Sequence, residues 1–409
     1  MINKYGVLVL LLIFSLMVQA QTITISENVQ ASEKKTITPD KKWFETISLR
    51  GYMQVRYNRL LETNPDLGCE QCDRSWGNNN GLFIRRGRLV FSGNVHDRIY
   101  IYIQPDFASS ASTTSNNFLQ IRDAYFDLAF DSNKEYRLRV GQSKIPYGFE
   151  NMQSSQNRLS LDRNDAINSA IVNERDLGLF FYWAPKEKRD LFAKLVKDGL
   201  KGSGDYGVFG FGIYNGQTAN RAEANNNQHI VARVSYPFEF KNGQILEAGI
   251  QGYTGKYVLP SVTNTVIVNT DKEYLDERVA ASVVLYPQPF GIQAEYNIGT
   301  GPEFNKLNNT IEQKPLHGGY IQAFYNLKVE AQVILPFIKY QIYRGGKKHE
   351  LDARSYEVND LEIGFEYQPF KNFEVVADYT ISKRRYEDAV KLNNLQEGNL
   401  LRLQLQVNF

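Results

Sequence analysis

An apolar residue at every second position is the feature that most limits what this chain can become. From Thr46 onward, Ile47, Leu49, Gly51, Met53, Val55 and Tyr57 alternate with Ser48, Arg50, Tyr52, Gln54, Arg56 and Asn58. Successive strand side chains point to opposite faces, so this segment has one greasy side and one polar side. Ile99, Ile101 and Ile103 oppose Tyr100, Tyr102 and Gln104 in the same way, and Tyr136, Leu138 and Val140 oppose Arg137, Arg139 and Gly141. Near the end, Leu361, Ile363, Phe365 and Tyr367 oppose Glu362, Gly364 and Glu366, and Leu401, Leu403, Leu405, Val407 and Phe409 oppose Arg402, Gln404, Gln406 and Asn408.

Sixteen segments follow this rule, centred near residues 52, 88, 102, 124, 139, 180, 210, 234, 250, 282, 294, 322, 337, 363, 378 and 404. Short connections (His96-Asp97, Asp131 to Lys134, Lys241 to Gly243, Pro287 to Pro289, Lys371-Asn372) alternate with long ones at 60–81, 108–117, 146–176, 258–275, 300–315, 344–357 and 385–398. An even strand count with tight turns at one end and long loops at the other predicts an all-β fold, a transmembrane antiparallel β-barrel of about 16 strands. Residues 185–204 break the alternation of lengths. Leu191, Phe192, Leu195 and Val196 recur there at helical spacing, which predicts a short amphipathic helix below the barrel. A soluble sandwich also alternates, but sixteen outward apolar stripes would far exceed the few hundred Å2 of greasy patch a monomer tolerates in water. Aromatic residues such as Tyr57, Phe83, Phe130, Tyr236, Phe240 and Phe370 gather at segment ends, as interfacial girdles do.

The N-terminus supplies an address. Lys4 precedes an apolar run from Val7 to Met17, and Val18-Gln19-Ala20 offers small residues for a signal peptidase. Residues 1–20 are therefore expected to be a signal peptide, 21–44 a flexible periplasmic leader, and 45–409 the barrel. With 47 basic and 45 acidic residues the formal charge is +2, which argues against a nucleic-acid partner. The only cysteines, Cys69 and Cys72, lie in a Gly/Asn/Asp-rich stretch and read as a small loop disulfide in an oxidising compartment. The four histidines, His96, His229, His317 and His349, fall at turns and segment ends without metal-ligand spacing and read as solvated. Neither a phosphate-cradling Gly-x-x-x-x-Gly-Lys run nor a Gly-x-Ser-x-Gly elbow occurs, so neither a cofactor nor an enzyme centre is expected.

Longer stretches carry a family likeness. Phe83 to Phe107 (FIRRGRLVFSGNVHDRIYIYIQPDF), Leu138 to Glu150 (LRVGQSKIPYGFE), Glu174-Arg175-Asp176-Leu177-Gly178, and Tyr206 to Gly216 together resemble the phosphate-selective porin O and P family. The resemblance implies a sixteen-stranded porin of the bacterial outer membrane, usually a homotrimer, with its third long loop folded into the lumen; here that loop is 146–176. The terminal Phe409 resembles the signal read by the outer-membrane barrel assembly machinery.

If the apolar faces meet lipid, the alternate faces line water. That register sends Arg50, Arg56, Arg86, Arg88, Arg137 and Arg139 inward, while Lys144, Arg158, Arg163 and Arg175 belong to the inserted loop and its ends. Guanidinium groups suit oxyanions such as phosphate, and rings of them are an anion-pore device. Asp123, Asp127, Glu247, Glu295, Glu362, Glu366, Glu374 and Asp378 also face inward, however, and pairing with them would give a general pore for small hydrophilic solutes. Both readings stay open, as does a surface-binding or structural barrel without significant channel activity.

Overall fold

In the computed structural model the described residues are 42–62, 64, 66–69, 76, 81–108 and 118–409. The expected signal peptide, most of the leader and Cys72 lie outside them. Cys69 is disulfide-bonded.

Every alternating segment becomes a strand. β1 (Ser48–Glu62), β2 (Gly81–His96), β3 (Ile99–Ala108), β4 (Phe118–Ala129), β5 (Tyr136–Lys144) and β6 (Arg175–Trp183) pair antiparallel in sequence order. β7 (Phe209–Tyr214), β8 (His229–Glu239), β9 (Ile245–Val258), β10 (Glu273–Leu285), β11 (Phe290–Asn305) and β12 (Thr310–Tyr325) continue the ladder. A three-residue step, β13 (Leu327–Val329), lies beside β14 (Gln332–Gly346), and β15 (Ser355–Phe370), β16 (Phe373–Glu387) and β17 (Asn394–Asn408) follow. β17 pairs with β1, Tyr52 opposite Asn408 and Arg56 opposite Gln404, so the sheet closes on itself. With β12 and β13 counted as one course, sixteen strands form the cylinder. Closure matters because hydrocarbon supplies no partner for an open strand edge.

The register matches the alternation. Arg402, Gln404 and Gln406 are buried, while Leu403 and Leu405 between them face outward. On β14 the outward residues Ile334, Pro336, Ile338, Tyr340 and Ile342 span nine positions, the length needed to cross the apolar core of a bilayer. Ile338, 46% exposed, sits in the middle of that band. Replacing Ile338 with Arg is expected to lower folding stability in lipid by about 2–4 kcal/mol. Urea titration in vesicles that left the midpoint unchanged would place this face away from hydrocarbon.

Four expectations need correction. The long loops at 300–315, 344–357 and 385–398 are mostly strand: β11 and β12 are separated only by 306–309, β14 and β15 by 347–354, and β16 and β17 by 388–393. Above the bilayer both faces of a strand meet water, so its outward side becomes charged and the greasy alternation fades. Cross-strand pairs replace it, Lys256 with Glu273 at 2.8 Å, Arg344 with Glu357 at 2.6 Å and Lys383 with Glu397 at 2.7 Å. The segment between β6 and β7 does contain a helix, but its greasy side packs into the mouth of the cylinder rather than lying below it. Two histidines are not solvated. His229 is buried between Tyr214 and Tyr253, with ring centroids 5.3 and 6.2 Å away. His349, half-buried, contacts the Tyr257 hydroxyl at 3.2 Å and the Ser169 carbonyl at 3.0 Å. Finally, the inner wall is not wet throughout, as the inserted loop makes plain.

Candidate functional site

Loop 145–174, between β5 and β6, folds into the cylinder. Gly148 permits the entry: its φ is +81°, and a Cβ would stand 2.4 Å from Cγ2 of Ile167. Two short helices follow, α1 (Phe149–Met152) and α2 (Asp165–Ala170). Asn164 caps α2, its side chain accepting from the Ile167 N–H at 3.0 Å. The N–H groups of Phe149 and Glu150 donate to the Glu295 carboxylate of β11, the second at 2.9 Å. Leu159 and Leu161 pack on Phe324, Leu335, Phe337 and Val376, inward residues of the far wall, and keep that side dry.

Four carboxylates moor the loop. Glu150 meets Lys339 of β14 at 2.6 Å; Asp162 meets Arg402 of β17 at 2.6 Å and Arg56 of β1 at 3.5 Å. Asp165 meets Lys347 at 2.5 Å and Arg384 of β16 at 3.0 Å. Glu174, at the loop's end, lies 3.4 Å or less from Lys144, Arg158, Arg163 and Arg175. Lys144 also donates to the carbonyls of Asn151, Met152 and Gln153 at 2.9, 3.2 and 2.7 Å. Buried pairs of this kind stabilise little against an apolar alternative, but breaking one costs about 3–5 kcal/mol because a charge is left alone.

A second element narrows the other end, which the short turns mark as periplasmic. Helix α3 (Lys186–Lys197) turns Leu191, Phe192 and Leu195 toward Ile245, Val284 and Tyr286 of the wall and Phe149 of the loop. Lys201 reaches Glu366 of β15 at 2.6 Å, and Gln153 donates to the Lys201 carbonyl at 2.7 Å, so loop and segment touch. Asp205 bridges Arg137 and Arg189, at 2.7 and 2.8 Å. Burial would raise its pKa, but those two guanidinium groups outweigh it and hold the carboxyl below its ordinary value.

A cavity of about 900 Å3 stays open against β1 to β6. Nine basic residues line it, against four acidic ones, Asp123, Asp127, Asp190 and Asp205, so its wall is net positive. Tyr52, Tyr100, Tyr102, Tyr125 and Tyr206 also line it. Arg139 lies 3.9 Å over the Tyr125 ring and forks onto Asp127 at 2.7 and 2.9 Å.

Of the ten basic residues named from the sequence, Arg50, Arg137, Arg139, Lys144 and Arg175 line this cavity. Arg56, Arg86, Arg88, Arg158 and Arg163 face inward but lie off it. Arg88 pairs with Asp106 at 2.8 Å and Arg86 donates to Gln54 at 2.8 Å, while the other three join the loop moorings. Several of the inward carboxylates are partners of basic residues: Asp123 with Arg175, Glu247 with Arg233, Asp378 with Arg402. Arg98, Lys134, Lys186 and Arg189 also line the cavity. Sequence reasoning missed them because they sit in turns and on α3, where no alternation assigns a face. Among the described residues no cluster of His, Cys, Asp and Glu could hold a metal ion.

A closed cylinder, greasy outside and charged within, with a loop narrowing its lumen, defines an outer-membrane channel of the porin class. Residues 64–409 match the family described as phosphate-selective porin O and P, and the chain belongs to that family. No curated protein matches the chain. Among solved structures it is similar to OmpF of Salmonella typhi (TM-score 0.55, 13% identity, 89% of this chain and 97% of that one). It is also similar to the trimer form of OmpT of Vibrio cholerae (TM-score 0.51, 10% identity, 89% and 99%). A third likeness is to an anion-selective porin from Comamonas acidovorans (TM-score 0.50, 10% identity, 89% and 99%). At these identities the likeness is one of fold.

Proposed function

We propose that this outer-membrane porin gives passive, anion-preferring diffusion to small hydrophilic solutes, phosphate among them, without any catalytic step. The observation that carries the preference is the excess of nine basic over four acidic side chains on the cavity wall. A charged solute is opposed by the low-dielectric bilayer, and a water-filled lumen with fixed positive charge replaces part of its lost hydration. Because Arg137, Arg139 and Arg175 already pair with carboxylates, they leave few free guanidinium forks to grip phosphate tightly. Weak, general anion preference is therefore favoured over strict phosphate selection. The family name and the anion-selective fold relative support an anionic solute, and the trimeric relative supports a homotrimer. Residues 1–20 would export the chain and 21–44 would form the periplasmic leader. The barrel assembly machinery would insert 45–409 into outer-membrane lipid.

Planar-bilayer recording of the folded protein tests this. Ion current with a reversal potential of anionic sign is expected in a potassium chloride gradient, and again in potassium phosphate. A reversal potential of cationic sign would remove the anion preference, and a folded protein without current would leave a surface-binding or structural barrel.

A further inference from the structure

The alternation of β3 and β4 puts six side chains on one stretch of the cavity wall. Tyr100 stands opposite Asp127, Tyr102 opposite Tyr125, and Gln104 opposite Asp123. All six line the cavity, and none is a cation. The rings of Tyr102 and Tyr125 stack at 5.1 Å with their planes 10° apart, and Arg139 of β5 lies 3.9 Å over Tyr125. These contacts hold the rings in place and leave their hydroxyls free. The hydroxyls of Tyr100, Tyr102 and Tyr125, and that of Tyr206 on the same cavity, make no hydrogen bond among the described residues. Gln156 and Asn157 of the inserted loop line the cavity too, and their side-chain amides are likewise without a hydrogen-bond partner among the described residues.

The carboxylates decide which solute such a wall takes. Arg139 forks onto Asp127 at 2.7 and 2.9 Å, and Arg175 meets Asp123 at 3.0 Å, so each negative charge is balanced locally. Their oxygens keep lone pairs beyond those the guanidinium groups occupy. An ionised carboxylate accepts and never donates, so an oxyanion finds no bond at Asp123 or Asp127. A hydroxyl both donates and accepts. It donates to a carboxylate here and accepts from the neighbouring phenol. Successive lumen-facing residues of one strand stand about 6.8 Å apart and directly opposed ones about 4.5–5.5 Å, spacings that span one sugar ring.

We propose that this patch, Tyr100, Tyr102, Gln104, Asp123, Tyr125 and Asp127, is a weak binding site for uncharged polyhydroxylated solutes, mono- and disaccharides, which the channel passes alongside small anions. The proposal rests on the channel reading above and names a second solute class for it. Each hydrogen bond to the wall replaces one made with water, so its net gain is small. A sugar is therefore held briefly and released, as passage through a pore requires.

Planar-bilayer recording in potassium chloride tests the site, with maltose as the probe and a polyethylene glycol of the same hydrodynamic radius as the size control. Maltose is expected to reduce the wild-type ion current saturably. The glycol, which fills the same space with few hydroxyls, should lower it only in proportion to its concentration. The Tyr100→Phe/Tyr102→Phe/Tyr125→Phe variant keeps the rings and lacks three hydroxyls, and its half-blocking maltose concentration is expected to rise about tenfold. A control, Tyr236→Phe/Tyr325→Phe/Tyr340→Phe, loses as many hydroxyls from the exposed outer face and is expected to keep the wild-type block. Maltose that acts on the wild type no differently from the glycol overturns the proposal while the ion current upholds the channel reading. Undiminished block in the Tyr100/Tyr102/Tyr125 variant, or an equal loss in the control, overturns it as well. Absence of current from the wild type overturns both. Heat-modifiable migration on gels confirms that each variant is a folded barrel.

Discussion

Replacing Glu174 with Gln is expected to free the inserted loop from its end. The carboxylate lies among Lys144, Arg158, Arg163 and Arg175, and among the described residues Arg175 alone of these has a second carboxylate within 4 Å, Asp123. Without the Glu174 charge, three buried cations repel one another across a space from which most water is excluded. Breaking one buried pair costs about 3–5 kcal/mol, and here a single carboxylate serves several pairs. The loop should leave its docked position for a large fraction of the time. A larger single-channel conductance, a higher anion-over-cation ratio and a lower melting temperature in detergent are the expected readings. Wild-type conductance and melting would show that the loop is held by its apolar contacts, Leu159 and Leu161 above all, rather than by charge.

The second large effect concerns α3. Changing both Leu191 and Leu195 to Asp removes two buried side chains worth about 1.5–3 kcal/mol each and places two carboxylates against Tyr286 and Val284. The helix cannot stay in the mouth at that cost. Segment 184–208 is then expected to swing out, conductance to rise, and trypsin to cut between Lys186 and Lys201 in a barrel that is otherwise intact. Because the β6 to β7 pairing does not involve α3, the melting temperature should change little. Continued resistance to trypsin with unchanged conductance would mean that the helix is docked by Lys201 and Asp205 alone.

The transmembrane part of this fold is legible in the sequence because lipid and lumen impose opposite demands on adjacent residues. A one-residue slip would reverse every side chain, so the alternation fixes the register as well as the existence of each strand. The pairing of Arg139 with Asp127 follows from that register, since the two stand opposite each other on β5 and β4. The partner of Arg137 does not. Asp205 reaches it only because a segment some seventy residues along folds back up into the mouth, and no periodicity encodes such a return. The burial of His229 is hidden in the sequence for a related reason. The residue stands at the start of β8, yet glycines at 216 and 255 clear room for its ring, and a Cβ at either would come within 2.3 Å of it. A strand start next to two distant glycines reads as solvent until the sheet is closed.

The strand extensions beyond the apolar band give the molecule a shaped outer rim. From Gly299 to Asn305, β11 adds seven residues, about 23 Å of stiff ribbon along its own axis, cross-bonded to β12 over its whole length. Phages, antibodies or neighbouring cells approaching from outside would therefore meet a sculpted parapet instead of a fringe of loose chain. Reagents raised against linear peptides from this region would recognise denatured polypeptide and pass over the intact cell surface.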